Sequence, residues 1–377
     1  MKIFYIIPEL SEFGGGTERV KFLISIFKKE NQLDILEIGR KKCFNDSRFI
    51  ELKFSSFEKI INLFRIYAYP FSRYVEKEIL SGFKENSYDL IIVSKFQILF
   101  YLRNFKDNKK VIVDLWACGL DDAIFELKTE KNIFKKIIFI LRLIRYYITD
   151  RLLYKRFSNY FVVSKKAKVY IEKRYKNKKV YIIPHTFEVK NINFDRERDL
   201  NFVFIGDTGF APNFNSVLKF AEYSKGLDIK LFVIGSYRDE DKDYFKNDNI
   251  KFLGNLSYIE LDKLMEDNIF FWSVIDRGLG LRTKILKAFS YAMCVFANQN
   301  SLEGINYKDM ENVVVVENKE EFLKKYREVI KNMEIPKKIG LNAYNYLKKD
   351  LNSENIYSKV KRAFYEILSN NNNSRQA

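Results

Sequence analysis

The sequence has few of the residues that build metal sites and disulfide frameworks. Its 377 residues include one histidine and three cysteines, Cys43, Cys118 and Cys294, which lie far apart in the chain. A single histidine excludes a metal site built on several histidines, and the cysteine positions match neither a disulfide framework nor a paired zinc spacing. We therefore expect a protein of a reducing compartment.

Long apolar runs are also missing. The apolar run at residues 3–7 is too short for the core of a signal peptide, and Pro8 follows it. A membrane span needs about 20 apolar residues, and the nearest candidate, residues 137–148, is interrupted by Arg142 and Arg145. We expect a cytoplasmic protein whose contact with a membrane is peripheral, at the inner face of the cell membrane.

Acidic residues are outnumbered by basic ones. The chain carries 66 Lys and Arg against 49 Asp and Glu, a formal charge of +17, while 47% of its residues are hydrophobic. That hydrophobic content excludes an intrinsically disordered chain. Residues 131–179 hold 16 Lys or Arg and two acids, Asp150 and Glu172, so this segment alone contributes +14.

The basic segment predicts an amphipathic helix. At 100° per residue, one side of it carries Lys131, Lys135, Arg142, Arg145 and Arg156 within about 80°. The apolar residues lie towards the other side: Ile137, Ile140, Leu141, Ile144 and Ile148. Such a helix suits an anionic membrane surface, and the alternative is a core helix with a solvated cationic side. No zinc-finger spacing, RNP-like motif or recognition helix accompanies the charge, so we expect no nucleic-acid partner.

Short apolar runs alternate with helical patterns along the whole chain. Continuous Ile, Val and Phe runs predict strands of parallel sheets that are covered on both faces. The pattern predicts an α/β protein with two tandem Rossmann-like, doubly wound domains that face a cleft. We expect an N-terminal domain over residues 1–190, a C-terminal domain over 198–350, a helix over 351–369 packing back towards the N-terminal domain, and a disordered tail over 370–377.

A glycine-rich loop follows the first predicted strand. It ends in Gly14, Gly15, Gly16 and Thr17, before a predicted helix. Glycines let the backbone approach a ligand closely, and a helix N-terminus suits a phosphate. The spacing matches neither the dinucleotide fingerprint nor a P-loop, and a glycine turn without any ligand explains the loop equally well.

Five segments in order resemble the GT-B glycosyltransferases of the retaining family 4, the group 1 glycosyl transferases. Residues 204–220 (FIGDTGFAPNFNSVLKF) resemble the strand, loop and helix that open their nucleotide-binding domain. Residues 254–257 (GNLS) resemble the turn beside the base. Residues 280–288 (GLRTKILKA) resemble G-x-R-x-K-x-L-E-A, and residues 301–305 (SLEGI) resemble A-x-E-G-L. Residues 14–19 resemble the acceptor domain's G-G-x-x-R loop.

The resemblance implies a GT-B fold and transfer of a sugar from a nucleotide-sugar donor, a hexosyltransferase-like activity without metal or cofactor. Cations would stabilise the leaving diphosphate, and we expect Arg282 and Lys284 to do so, with Asp114 orienting the acceptor. The implied donor-binding residues are Gly15, Gly16, Thr17, Gly206, Asn213, Gly254, Asn255, Arg282, Lys284, Lys287, Glu303 and Gly304. We expect a lipid-linked or polysaccharide acceptor in bacterial surface-glycan (lipopolysaccharide or capsule) synthesis.

One position departs from the family pattern. Lys287 stands where relatives carry a glutamate that accepts hydrogen bonds from the donor ribose, and a lysine only donates. Lys287 therefore indicates a phosphate contact, an altered donor, or a catalytically silent GT-B module that binds a partner transferase. A nucleic-acid-binding protein and a nucleotide-sugar epimerase are the remaining alternatives. The only histidine, His185, ends the first half of the chain and is expected to be structural.

Overall fold

The computed structural model describes residues 1–10, 15–63, 72–84, 88–105, 108–116, 124, 127, 133–194, 196–246, 249–276 and 281–376. Within these ranges thirteen strands form two sheets, one of seven strands and one of six. Every strand pair in both sheets is parallel, which requires a crossover between neighbouring strands and explains why apolar runs and helices alternate in the sequence.

The first unit comprises residues 1–184 and 356–377. Its sheet has the order β3-β2-β1-β4-β5-β6-β7. The strands are β1 (Lys2–Pro8), β2 (Gln32–Gly39), β3 (Arg48–Glu51), β4 (Leu90–Ser94), β5 (Val111–Leu115), β6 (Asn159–Val162) and β7 (Lys179–Ile182). The helices are α1 (Gly15–Lys28), α2 (Ser56–Leu63), α3 (Arg73–Lys84), α4 (Phe96–Leu99), α5 (Ile133–Arg156) and α6 (Lys165–Arg174), with 3-10 turns at Phe100–Leu102 and Asn108–Lys110.

The second unit comprises residues 185–355, and its sheet has the order β10-β9-β8-β11-β12-β13. The strands are β8 (Asp199–Ile205), β9 (Leu231–Ile234), β10 (Ile250–Gly254), β11 (Asn268–Ser273), β12 (Cys294–Ala297) and β13 (Val314–Val315). The helices are α7 (Ala211–Tyr223), α8 (Asp239–Tyr244), α9 (Tyr258–Asp267), α10 (Thr283–Ser290), α11 (Lys319–Ile330) and α12 (Glu334–Asp350). The chain ends in α13 (Ser353–Gln376).

Each sheet is buried on both faces. In the first unit one face packs against α1 and the apolar side of α13, including Ile356 and Phe364, while Leu153 and Tyr154 of α5 lie on the other face. In the second unit a cluster of aromatic rings surrounds Phe202 of β8. Two covered faces explain the continuous apolar strands, because a half-exposed strand would alternate apolar and polar residues.

The structure corrects two predictions, one about a long helix and one about the C-terminal segment. The sequence pattern over residues 57–80 predicts one continuous helix. In the structure Ser72 lies outside any helix, and its side-chain oxygen accepts a hydrogen bond from the backbone N–H of Val75, as at the start of a new helix. The polar C-terminal segment expected to be disordered instead continues α13 as far as Gln376. This segment is rich in asparagine, and asparagine has only a weak helix propensity.

Candidate functional site

The carboxyl ends of three neighbouring strands in the second unit carry glycines. Gly206 and Gly235 directly follow β8 and β9, Gly254 ends β10, and Gly235 has a φ of 123°. A Cβ atom on Gly235 would lie 2.7 Å from the carbonyl oxygen of Gly206, and one on Gly206 would lie 2.8 Å from the side-chain Nδ2 of Asn213. Gly206 and Gly235 therefore let the loops after β8 and β9 pack closely at this edge, where open α/β sheets bind their ligands.

Lys284 lies beside these glycine turns, in the first turn of α10. Its ammonium group donates a hydrogen bond to the side-chain oxygen of Asn213 at 3.1 Å and lies 4.2 Å from the centre of the Phe204 ring. Burial and then the charge of Arg282 lower the pKa of Lys284 to about 7. A lysine that gains an anionic partner here would recover its charge, so the group is suited to binding phosphate.

Arg282 occupies the residue before the first turn of α10, and its backbone carbonyl accepts the N–H of Ile285 at 3.0 Å. The N-terminus of α10 and the charges of Arg282 and Lys284 therefore share one region, and all three favour an anion. Residues 277–280, which include Gly280 of the sequence motif, lie outside the described residues. Asn255 and Gly304 are exposed and Glu303 is half-buried.

The charge of Lys287 adds a small contribution to the electrostatics of Asp262 in α9. Asp262 in α9 accepts hydrogen bonds from the Lys190 ammonium group at 2.7 Å and from the hydroxyl of Tyr291. Burial opposes the ionisation of Asp262, but these bonds and the charge of Lys287 outweigh it and hold its pKa below the ordinary value. The structure thus assigns the positive charge at residue 287 a protein neighbour that the sequence did not reveal.

In the first unit, Asp114 at the end of β5 is fully buried. Its carboxylate accepts bonds from the Arg19 guanidinium, from the Ser94 hydroxyl at 3.1 Å and from the indole N–H of Trp116 at 2.6 Å. Arg19 also donates to the carbonyl of Ile183 at 2.9 Å. These bonds tie α1 to the ends of β4 and β5, so the described contacts of Asp114 hold the edge of the sheet together.

The glycine loop differs from its prediction, because α1 already begins at Gly15. A Cβ atom on Gly16 would lie 2.4 Å from the indole ring of Trp116, so this glycine gives room to a protein side chain. Thr17 is 5% exposed. The ammonium group of Lys95, whose pKa is lowered by burial, lies 4.6 Å from the centre of the Trp116 ring. Gly14 lies outside the described residues.

Gly16→Ala is expected to reduce the free energy of unfolding by about 1–3 kcal/mol, because the new methyl group overlaps the Trp116 ring. At an ordinary helix position a change from glycine to alanine raises the free energy of unfolding, so a decrease here supports the contact with Trp116. Adding Trp116→Leu should remove much of the penalty of the alanine. Urea denaturation of the two single variants and the double variant measures this, and additive losses would contradict the contact.

The cations assigned to a membrane surface are not equivalent. Arg142 is exposed and Arg145 half-buried, whereas Arg156 is half-buried and donates to the carbonyl of Phe105. Lys131 and the side chain of Lys135 lie outside the described residues. The apolar side of α5 is not the side that packs on the sheet, since Ile137, Ile144 and their neighbours are exposed. The apolar residues that a core helix would bury are therefore exposed, although Leu153 and Tyr154 of the same helix lie in the core.

The sequence places Trp116 beside Asp114, two residues along the chain, but it did not identify Arg19, Ser94 and Lys95 as parts of the first unit's sheet edge. The sequence could have identified Arg19 as a site residue, because it ends the segment that resembles the G-G-x-x-R loop. Ser94 and Lys95 had no local signal, since only the parallel pairing of β4 with β5 brings Ser94 beside Asp114. His185 is 2% exposed, and its ring packs edge-on against Phe187.

Within the described ranges no cluster of three or more His, Cys, Asp or Glu side chains has the geometry of a metal site. None of the helices described by the structure combines the length and the apolar character needed to cross a bilayer.

No family model matches the chain. A protein of Klebsiella pneumoniae, described as an uncharacterized 44.6 kDa protein in the cps region, is 20% identical over 340 residues, 85% of this chain and 81% of the relative. Among solved structures, sucrose-phosphate synthase from Thermosynechococcus elongatus superposes with a TM-score of 0.70 at 12% identity, covering 98% of this chain and 100% of that one.

Two further structures connect the fold to other sugar chemistry. HepE of Anabaena, solved with UDP and glucose, has a TM-score of 0.66 at 13% identity and covers 97% of this chain and 100% of its own. WaaG, a glycosyltransferase involved in lipopolysaccharide biosynthesis, has a TM-score of 0.64 at 12% identity, with 97% and 99% covered. Two Rossmann-like units with parallel sheets and these likenesses over nearly the whole chain show that the protein has the GT-B fold of glycosyltransferases.

Proposed function

We propose that the protein is a glycosyltransferase that moves a sugar from a nucleotide-sugar donor to a glycan acceptor. The observation that carries this is the part-buried Lys284, held by Asn213 beside Arg282 at the glycine-lined edge of the second sheet. A diphosphate is the leaving group of a nucleotide sugar, and fixed cations stabilise it without any proton transfer. The GT-B likenesses, one of them to a structure solved with UDP and glucose, support the same chemistry.

The donor site in this proposal lies at the carboxyl edge of the second unit. Lys284, Arg282 and the N-terminus of α10 would bind the diphosphate, and the turns at Gly206 and Gly254 would admit the nucleotide. Asn213 keeps Lys284 in place through its 3.1 Å hydrogen bond. No metal is required, because these groups supply the positive charge. By resemblance, the transfer retains the configuration at the anomeric carbon.

The acceptor site in this proposal belongs to the first unit. Half-buried Trp116 and Lys95 lie at the carboxyl edge of its sheet, and an indole ring and an ammonium group suit a sugar ring and an anionic substituent. Asp114 takes the role of a positioning residue that orients Trp116 through the 2.6 Å bond to its indole N–H. The acceptor itself we propose to be a lipid-linked or polysaccharide glycan in surface-glycan synthesis, at the cytoplasmic face of the membrane. WaaG, involved in lipopolysaccharide biosynthesis, and the cps-region relative support this setting.

Titration of the protein with UDP, GDP, CDP and dTDP by calorimetry tests the proposal. Binding of at least one diphosphate, weakened by Asn213→Ala, is the expected result. Absence of binding to all four would favour the catalytically silent module. Formation of an isomeric nucleotide sugar without any acceptor would identify an epimerase instead, and a steep salt dependence of binding to duplex or single strands would indicate a nucleic-acid-binding protein.

A substitution of Lys287 changes the charge near Asp262 as well as any contact with the donor, so Lys287→Glu needs a control. Lys287→Glu would place a second carboxylate near Asp262, so we expect it to lower the stability by up to about 1 kcal/mol. Lys287→Gln removes the charge without adding a like one and serves as the matched control. A thermal-shift screen of nucleotide sugars on both variants measures this. If Lys287 contacts the donor, both variants change the nucleotide preference relative to wild type, and two unchanged profiles would remove it from the donor site.

A further inference from the structure

Helix α5 leaves an apolar stripe uncovered. Ile137, Leu141, Ile144 and Ile148 are spaced four, three and four residues apart, and their exposed fractions are 52%, 52%, 49% and 36%. Further exposed apolar side chains border the stripe: Ile133, Phe134, Ile138, Ile140, Tyr147 and Leu152. Residues 133–148 extend over about 24 Å of helix. A contiguous apolar surface of this length is unusual on a soluble monomer and marks a docking surface.

The stripe is not a misplaced core face, because α5 has a separate packed face. Thr149, Asp150, Leu153 and Tyr154 are at most 1% exposed. At 100° per residue their mean direction lies about 180° from that of the stripe. The helix therefore uses one side to pack on the sheet and presents the opposite, apolar side outwards.

The charges of α5 decide what covers the stripe. The helix contains seven Lys or Arg residues and one acid, Asp150, which is 1% exposed. The exposed Arg142, Arg151 and Lys155 are among these cations. A second copy of the chain would bring seven like charges against seven, with no exposed acid on the helix to pair with them. An anionic surface with an apolar interior meets both requirements, and a bilayer of acidic phospholipids has this composition.

We propose that α5 inserts its apolar stripe into the interface of an anionic bilayer, parallel to the membrane plane. The Ile and Leu side chains enter the boundary between headgroups and acyl chains, and the cations along the helix lie at the level of the lipid phosphates. From the sequence we named only cations of this helix for the membrane surface, and the exposed stripe adds the side chains that insert. The proposal concerns a surface of the first unit and does not depend on the donor chemistry.

Flotation of the full chain with vesicles of phosphatidylglycerol and phosphatidylcholine, or of phosphatidylcholine alone, tests the insertion. Wild type is expected to bind the acidic vesicles and to bind the neutral ones far more weakly. Ile144→Gln should weaken binding to acidic vesicles on the order of 10-fold, because it removes an inserted side chain without changing the charge. Ile259→Gln is the matched control, since Ile259 in α9 of the second unit is 82% exposed; it should bind as wild type does.

Three results would overturn the proposal. The first is no binding of wild type to acidic vesicles. The second is equal binding of Ile144→Gln and wild type, which would leave only adsorption through charge. The third is a dimer in sedimentation that Ile144→Gln dissociates while vesicle binding stays unchanged, because the stripe would then cover a second copy. Nucleotide binding by calorimetry is expected to be the same in wild type and Ile144→Gln, which separates this test from that of the donor site.

Discussion

Lys284→Met is expected to weaken binding of the nucleoside diphosphate by roughly 10- to 100-fold and to lower sugar transfer by about 10²- to 10³-fold. The reason is that the ammonium group lies at the edge of the sheet beside Arg282, where it would meet the charge that develops on the leaving diphosphate. Calorimetry gives the first number and initial rates the second. Unchanged affinity and rate would place the donor phosphates elsewhere.

The pKa of Lys284 gives this prediction a second readout. Burial and the charge of Arg282 lower the pKa to about 7, so at pH 8 the side chain of the free protein is mostly neutral. A bound diphosphate favours the ammonium form, and binding at pH 8 should therefore take up close to one proton at this residue, whereas binding at pH 6 should take up almost none there. Calorimetry in buffers of different ionisation enthalpy measures the uptake, and Lys284→Met should lose it.

Lys284→Met should lower the activity of the protein but raise its stability. Because the pKa of Lys284 is lower in the folded than in the unfolded protein, the unfolded chain binds more protons between pH 7 and the ordinary lysine pKa of about 10.5. This group therefore disfavours folding most strongly below pH 7, and its penalty disappears as the pH rises to about 10.5. Lys284→Met should remove the penalty and melt at a higher temperature at pH 6. If Lys284→Met loses activity and also has a lower melting temperature than wild type at pH 6, a structural defect would explain the lost activity.

Arg19→Met is expected to reduce the free energy of unfolding by about 3–5 kcal/mol. It leaves the fully buried carboxylate of Asp114 without its ionic partner, although Ser94 and Trp116 still donate to it. Asp114→Asn, combined with Arg19→Met, should lose less than the sum of the two single variants, because neither charge then remains buried alone. Equilibrium unfolding in urea measures all three.

An exposed ion pair provides the control for this pair. The ammonium group of Lys246 lies 2.9 Å from the carboxylate of Asp243, and both side chains are more than half exposed. Lys246→Met should cost less than about 1 kcal/mol, since solvent screens the pair and its side chains lose entropy when they hold it. A similar cost for Lys246→Met and Arg19→Met would show that burial contributes little to the Arg19–Asp114 pair.

The likeness between the two units explains where these two sites lie. In each unit the important residues lie at the carboxyl ends of parallel strands, Asp114 near the end of β5 and Gly206 directly after β8. Parallel pairing brings these ends to one edge, and loops there leave backbone groups and side chains free to meet a ligand. At this edge the first unit has a buried ion pair, whereas the second unit has glycine turns and a lysine of lowered pKa.

The secondary structure and the fold followed from the sequence almost completely. Thirteen apolar runs predict strands, and each of them overlaps one of the thirteen strands of the described structure with its ends shifted by a few residues. The division between the two units falls at residues 184–185, whereas residues 191–197 separate the two predicted domains. The helix prediction over residues 57–80 was wrong, because Ser72 is capable of capping a new helix and competing with its continuation. Lys284 and Asn213 were also named from sequence, since motifs contain them, and they lie in the first turns of α10 and α7.

What only the tertiary structure decided is the environment of each side chain. The sequence determined that α5 has an apolar side and a basic side, but not which of them packs on the sheet. It placed Asp114 at a strand end without its partner Arg19, 95 residues away, and it could not show that the charge of Lys287 acts on Asp262. Periodicity is a local property of the sequence and can be recognised without knowledge of the fold. Burial, ion pairing and a shifted pKa arise from residues that are distant in sequence, so only the folded units determine them.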